Sequence, residues 1–416
     1  MSKLSLFKNI APYILLFIVI YISDDTFLFG TAEGGLFSKV KYMLYYMLPI
    51  PLIINVRFVS KSDAILIAFL IILIAITSIS NFDFRGGYVY QVLVLILSFL
   101  IAKKISFQVF AKLFCQFMYI FGIISLIVFA VALLFPSILT FFPVVTNISG
   151  LESHNLFLAI VNIDEGHGVR NTGVFREPGV YMIYLNIALM ISLFYSKSIN
   201  KKYVIIFILC IISTLSTAGV VVTGGVLLSA LFGGKNVFSK NEKRLIYLIP
   251  ILLVAFIVYN EGISDLVFGK LNKDSGKYVS TLSRIASLHI PLVNFMDYPI
   301  VGSGLSQFNF DFERQAMLLY GIPLKADGTA TNTITNKFAT YGFTFGAIFM
   351  YGLFRFTKKV LSRRLIITFF LFVLMLAMFS NEDMRYSLFF NILFFYGFLT
   401  ANTNPNAYTN IINKNG

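Results

Sequence analysis

Apolar runs long enough to cross ~30 Å of hydrocarbon recur along the whole sequence, and only short polar segments separate most of them. A chain that is 58% hydrophobic and 12% charged over 416 residues has little with which to clothe a soluble surface. The expectation is an all-α polytopic membrane protein, a single transmembrane domain over residues 1–416 with about twelve helices. Spans are expected at roughly 9–23, 38–56, 64–80, 87–102, 113–135, 179–196, 203–216, 218–232, 245–260, 336–354, 365–380 and 385–401. The first run lacks a small-residue cleavage site and is followed by Ser23, Asp24 and Asp25, so it reads as a retained helix. The spans 203–216 and 218–232 are short enough to form a broken or re-entrant pair around Ser216, Thr217, Ala218 and Gly219.

The net charge of +14 is a topology signal. With the N-terminus cytoplasmic, 20 of the 33 basic residues fall on the cytoplasmic side, where the acidic residues are Asp63 and Glu242. Lysine and arginine in short loops resist translocation, so this bias orients the chain with both termini inside. It leaves no need for a nucleic-acid partner. Cys115 and Cys210 fall in or beside apolar helices, which argues against a disulfide framework or a metal cluster.

Two outer segments, about 136–178 and 261–335, are longer than connections usually are, and both mix aromatic and aliphatic residues with polar ones. The first ends in RNTGVFREPG, residues 170–179, at the mouth of an apolar run. Pro178 suits the first turn of a helix and holds Glu177 extended, which places a carboxylate at the helix cap. One reading makes Glu177 a dipole-stabilised cap and Arg176 an interfacial anchor. The other makes Arg170 and Arg176 planar forks for a diphosphate, with Glu177 accepting a proton.

In the second segment, SRIASLHIPLVNF at 283–295 spaces Ile285, Leu288, Leu292 and Phe295 as one helical face, a pattern suited to a short helix on the membrane surface. Arg284 shares a face with Leu288, and His289 is either a structural histidine or a base. His154, His167 and their neighbours lack metal-site spacing, so no metal is assigned. Residues 302–304, GSG, read as a turn. Gly342 and Gly346 form a G-x-x-x-G whose default role is helix packing. Asn332, Thr335 and Asn336 precede that span as potential caps. Asn381, Glu382, Asp383 and Arg385 occupy the last outer turn, where Arg385 either joins the other arginines or pairs with Asp383. No ionisable residue sits at the centre of an expected span, which weakens a proton-coupled transporter.

R-N-T-G-V-F-R-E-P-G opening a helix after a long outer loop resembles the corresponding segment of bacterial O-antigen polymerases of the Wzy type. These are similar in turn to O-antigen ligases and to capsule and exopolysaccharide polymerases. The resemblance extends to S-T-L-S-T-A-G at 213–219, to the Arg284 segment leading into P-I-V-G-S-G-L at 299–305, and to T-N-T-I-T-N-K-F-A-T-Y-G-F-T-F-G at 331–346.

It implies a multi-span, GT-C-like glycosyltransferase of the bacterial inner membrane with a periplasmic active site and two long periplasmic loops. Such an enzyme moves a growing glycan from undecaprenyl diphosphate to the non-reducing end of a lipid-linked repeat unit, using no metal or cofactor. Its implied partners are the undecaprenyl-diphosphate-linked oligosaccharide, membrane lipids and a chain-length regulator protein. Arg170, Glu177 and Arg284 are the expected catalytic residues, with Arg176, His289, Asn332 and Arg385 binding substrate. Ala218 and Thr331 stand where ligases carry arginine and histidine, which favours a polymerase over a ligase. A ligase is the alternative enzyme, and a polysaccharide flippase or transporter the non-enzymatic one.

Overall fold

The computed structural model describes residues 3–24, 26, 36–55, 59–146, 152–155, 159–164, 168–196, 199–233, 278–361 and 364–399. The expected span at 245–260, residues 261–277 of the segment that follows it, and His167 lie outside these residues. Every other expected span coincides with helix. In chain order these are α1 (Lys3–Ser23), α2 (Leu36–Met47), α3 (Pro49–Asn55), α4 (Lys61–Ser80), α5 (Gly86–Lys104) and α6 (Phe107–Leu134), then α7 (Pro178–Met190), α8 (Lys201–Ser213) and α9 (Thr217–Phe232). The second outer segment supplies α10 (Tyr278–Asp297), α11 (Gly304–Tyr320) and α12 (Ala326–Thr329). The chain then runs through α13 (Thr333–Leu361), α14 (Leu365–Phe379) and α15 (Leu388–Phe398).

Among the described residues, four helices are long and apolar enough to cross a membrane: α4, α5, α6 and the stretch Pro178–Tyr195. The fold is that of a helical membrane protein. Helices begin where the sequence offers a cap, as at Ser60 with Asp63, Ser106, Ser216 and Ser387. The expected span at 38–56 is divided between α2 and α3 just before Pro49, whose ring disfavours helical geometry in the preceding residue and removes a donor.

Burial separates the helices into a centre and a periphery. The apolar window of Pro178–Tyr195 is 89% buried, whereas that of α4 is 22% buried, so α7 is the hub and α4 turns Ile65, Phe69, Ile72 and Ile76 outward. Around α7 the core is aromatic. Tyr184 stacks on Phe389 at 4.1 Å between centroids, and Phe349 stacks on Phe394 at the same distance.

The first outer segment holds a short 3-10 turn (Pro136–Phe141) and a small antiparallel meander, which the sequence reading did not foresee. Its strands are β1 (Val144–Thr146), β2 (Glu152–Asn155), β3 (Ile160–Asp164) and β4 (Gly168–Asn171), paired in chain order.

In the second outer segment a helix does cover 283–295, and most of its larger apolar stripe stays exposed while a face of small residues packs on the protein. α10 buries Ala286, Ser287, Ile290 and Asn294, while Ile285, Leu288 and Leu292 stay exposed. Small residues allow a close approach to α13, and the larger apolar stripe is left facing outward.

Gly342 is not part of a continuous helix-packing motif. It interrupts α13 with φ 79° and ψ 179°, and the turn at 299–304 docks into the break. The Ser303 N–H donates to the Ala339 carbonyl at 2.9 Å, and the Phe343 N–H donates to the Pro299 carbonyl at 2.8 Å. Backbone groups that a kink would orphan inside an apolar protein are thereby satisfied. The other side of the turn is held by the α4–α5 connection. Thr77 Oγ1 donates to the Val301 carbonyl at 2.8 Å, and Asp83 accepts from the Ser306 N–H at 2.7 Å. Burial alone would raise the Asp83 carboxyl, but the Ser306 amide and Arg85 bring it below its ordinary value.

Candidate functional site

The segment entering α7 is pinned before it reaches the charged residues. Asn171 Nδ2 donates to Ser125 Oγ at 3.2 Å and Ser213 Oγ at 2.9 Å, tying β4 to α6 and α8. Arg170, on β4, gives Nε to the Thr214 carbonyl at 3.1 Å. Val174 and Phe175 are fully buried. The string is therefore divided in function: RNTGVF is a packed plug, and REPG opens onto the site.

Glu177 has the extended geometry that Pro178 requires, with φ −144°, yet its side chain makes no capping hydrogen bond. Its carboxylate turns instead toward a second carboxylate 205 positions away, as the chain numbering shows. Glu382, in the turn between α14 and α15, is only 4% exposed and lies within hydrogen-bonding reach of Glu177. Arg176 lies between the two, with Nε 3.9 Å from Glu177 Oε1 and a terminal nitrogen 3.9 Å from Glu382 Oε2. Both are ion-pair separations rather than hydrogen bonds.

Three elements hold Glu382. A Cβ on Gly179 would fall on Glu382 Oε1, so only glycine at the second helical position lets the carboxylate rest against the start of α7. Thr333 Oγ1, at the start of α13, donates to the Glu382 carbonyl at 2.7 Å and accepts from the Met384 N–H at 2.8 Å. From α10, Arg284 hydrogen-bonds Asn381 Oδ1, one residue before Glu382. Burial pushes the Glu382 carboxyl up to about 8, helped by the charge of Glu177 and opposed by Arg176 and Arg284. Two carboxylates that share a site cannot both ionise cheaply, and here the buried one keeps the proton.

The remaining expected site residues take other partners. Arg385 is 6% exposed and forks onto Asp383, with Nε 2.9 Å from Oδ1 and a terminal nitrogen 2.7 Å from Oδ2, above the Phe308 ring. Arg385 thus braces the turn through Asp383, the second of the two readings the sequence allowed. Burial would raise Asp383, but Arg385 holds its carboxyl below the ordinary value. Asn332 is 1% exposed and caps α13, its Oδ1 accepting from the Ile334 and Thr335 amides at 3.2 and 3.1 Å. Its side-chain oxygen serves that cap. His289 shares a hydrogen bond with Tyr320 on α11, Nδ1 to Oη 2.8 Å. Five residues beyond Arg284, it lies on a different helical face. Lys337 is buried, with Nζ 3.3 Å from the Arg385 carbonyl and 4.2 Å above the Phe349 ring.

The sequence reading placed Glu382 in the last outer turn without giving it a role. The available signals were a glutamate between two apolar runs and a glycine directly after a helix-opening proline. No candidate metal cluster occurs among the described residues.

One consequence for stability follows from the Asp383–Arg385 pair. Asp383→Asn leaves a buried guanidinium uncompensated, and the expected cost is roughly 3 kcal/mol. Thermal melting of the detergent-purified chain checks this, and Asp383→Glu should recover part of the loss.

No family model matches this chain, and no curated protein matches it.

Proposed function

We propose that the chain is a polysaccharide polymerase of the bacterial inner membrane, transferring a growing glycan from undecaprenyl diphosphate to the non-reducing end of a lipid-linked repeat unit. The observation that carries this reading is the meeting of Arg176, Arg284, Glu177 and Glu382 at the start of the most enclosed apolar helix. A lipid diphosphate presents anionic oxygens at headgroup level and an apolar tail below them. Two guanidinium groups above an apolar bundle suit both parts, and they stabilise the charge that develops on the leaving diphosphate.

In this reading the chain crosses the membrane twelve times with both termini cytoplasmic and the outer segments periplasmic, in a multi-span, GT-C-like arrangement. The exposed stripe of Ile285, Leu288 and Leu292 on α10 meets lipid beside the site. The donor is already activated by its diphosphate, so the reaction calls for no nucleotide, metal or cofactor. The protein partner in this reading is a chain-length regulator.

Deletion of the gene in its own host tests the reading. A polymerase mutant makes surface lipid capped by a single repeat unit. Loss of all capping with accumulation of lipid-linked polymer indicates a ligase, and retention of the unit on the cytoplasmic side indicates a flippase. Unchanged long-chain glycan overturns the proposal.

A further inference from the structure

Glu382 is the most enclosed member of the charged cluster, and its surroundings are built to place it. Gly179 clears room for its Oε1, Thr333 fixes the backbone from its carbonyl to Met384, and Arg284 holds the residue before it. A structural anion at a helix start needs none of this, because an aspartate, serine or threonine at the cap would serve. Its touching neighbours, Arg176 and Glu177, are the partly exposed ones, with side chains 20% and 25% accessible. A hydroxyl that enters beside them meets Glu382 next.

We propose that Glu382 takes the proton from the attacking hydroxyl, with Glu177 as its charged neighbour, a role that rests on the transfer reaction proposed above. The acceptor O–H bond breaks and its proton passes to a Glu382 oxygen. The electron pair left on the acceptor oxygen forms the bond to the anomeric carbon. The bond from that carbon to the diphosphate oxygen breaks, and its electron pair departs with the diphosphate beside Arg176 and Arg284. Glu177 is the more open of the two, its side chain a quarter accessible, whereas Glu382 is enclosed against the start of α7. A base serves best when its proton affinity lies near the working pH, and the buried carboxyl meets that condition.

The charged groups around Glu382 are Arg176 and Glu177 at the start of α7, Arg284 on α10, and Asp383 and Arg385 on its own turn. Asp24, at the end of α1, adds a further carboxylate near Arg176. Removing the negative charge of Glu177 removes one of the influences that raise Glu382. The ionised form is the active one, so activity is lost as pH falls through about 8.

The experiment uses the full chain in liposomes with an undecaprenyl-diphosphate-linked repeat unit, and reads polymer formation on gels from pH 6 to 9. The wild type should gain activity as pH rises through about 8. Glu382→Gln should lose about 100-fold in rate and lose that rise. Glu177→Gln should shift the rise to lower pH, read from the shape of the profile relative to the variant's own maximal rate. If the wild type polymerises but Glu382→Gln keeps both rate and profile, the role of Glu382 is overturned and the polymerase reading stands. If the Glu382→Gln protein does not fold, an unmoved profile in Glu177→Gln overturns the role by itself. A wild type that forms no polymer at any pH overturns both proposals.

Discussion

Replacing Arg176 with alanine is expected to slow glycan transfer by about 100- to 1,000-fold while the protein still reaches the membrane. The size of the effect comes from the two tasks that one guanidinium performs. Toward substrate, it offers charge to a diphosphate as that group leaves. Toward the protein, it sets one positive charge 3.9 Å from each of two adjoining carboxylates, Glu177 and Glu382. Without it the two adjoining carboxylates lose that compensating charge. The fold tolerates the loss because Glu382 can hold its proton, and neutralising a buried carboxyl costs less than burying its charge. Arg176 opposes the upward shift of Glu382, so its removal should also push the activity profile to higher pH. Arg176→Lys should recover little. An ammonium supplies a point charge but no planar fork to span two acceptors. Rates of polymer formation in liposomes, corrected for the amount of protein incorporated, decide the matter. Activity within tenfold of wild type would remove Arg176 from the site.

Gly342→Ala should act on stability instead. The residue lies at positive φ with ψ near 180°, a region that is essentially confined to glycine, and strain there costs about 1–3 kcal/mol. A Cβ would also fall on the Ile300 carbonyl oxygen and stand 2.9 Å from the Gly302 nitrogen, where no flexible side chain can yield. That overlap adds about 1–3 kcal/mol. The expected outcome is a marked drop in the temperature at which the detergent-purified protein loses its monodisperse gel-filtration peak. Gly86→Ala is the control, because a Cβ there meets nothing within 4 Å. Equal behaviour of the two variants would mean that the 299–304 turn is not seated in the break of α13.

The helices were legible because an apolar run in lipid has few other ways to satisfy its backbone. Residues 61–80, 86–104 and 107–134 announce themselves by length, and Ser60 and Ser106 cap the first and the last of them. What escaped the sequence depended on small residues and on distance along the chain. On α10 the apolar stripe at Ile285, Leu288 and Leu292 was legible as an outward face, but the packed face was not, because Ala286 and Ser287 pack by being small. At 342 and 346 the glycine spacing suggested helices in contact, whereas one of the two glycines is where a helix stops being one.

The site was half legible. REPG pointed to the start of α7, and Arg284 to the second outer segment. Arg170 belongs to the same string, where β4 pairs its backbone with Asn162 and its Nε donates to the Thr214 carbonyl. Glu382 could not be assigned because its character comes from burial against Gly179 and Glu177, and neither contact is local in the chain. Arg385 and Asn332 looked available for substrate and are occupied by Asp383 and by the first turn of α13.

The embrace of the 299–304 turn and the broken helix has an evolutionary corollary. A side chain on Gly302 would strike the backbone of Thr340 and Tyr341, and one on Gly342 would strike that of Ile300 and Gly302. Because each collision is with main chain, no change of a neighbouring side chain can relieve it. Homologous chains should therefore keep glycine at both positions or abandon both together. Where both are abandoned, the loop should be of another length and the helix unbroken.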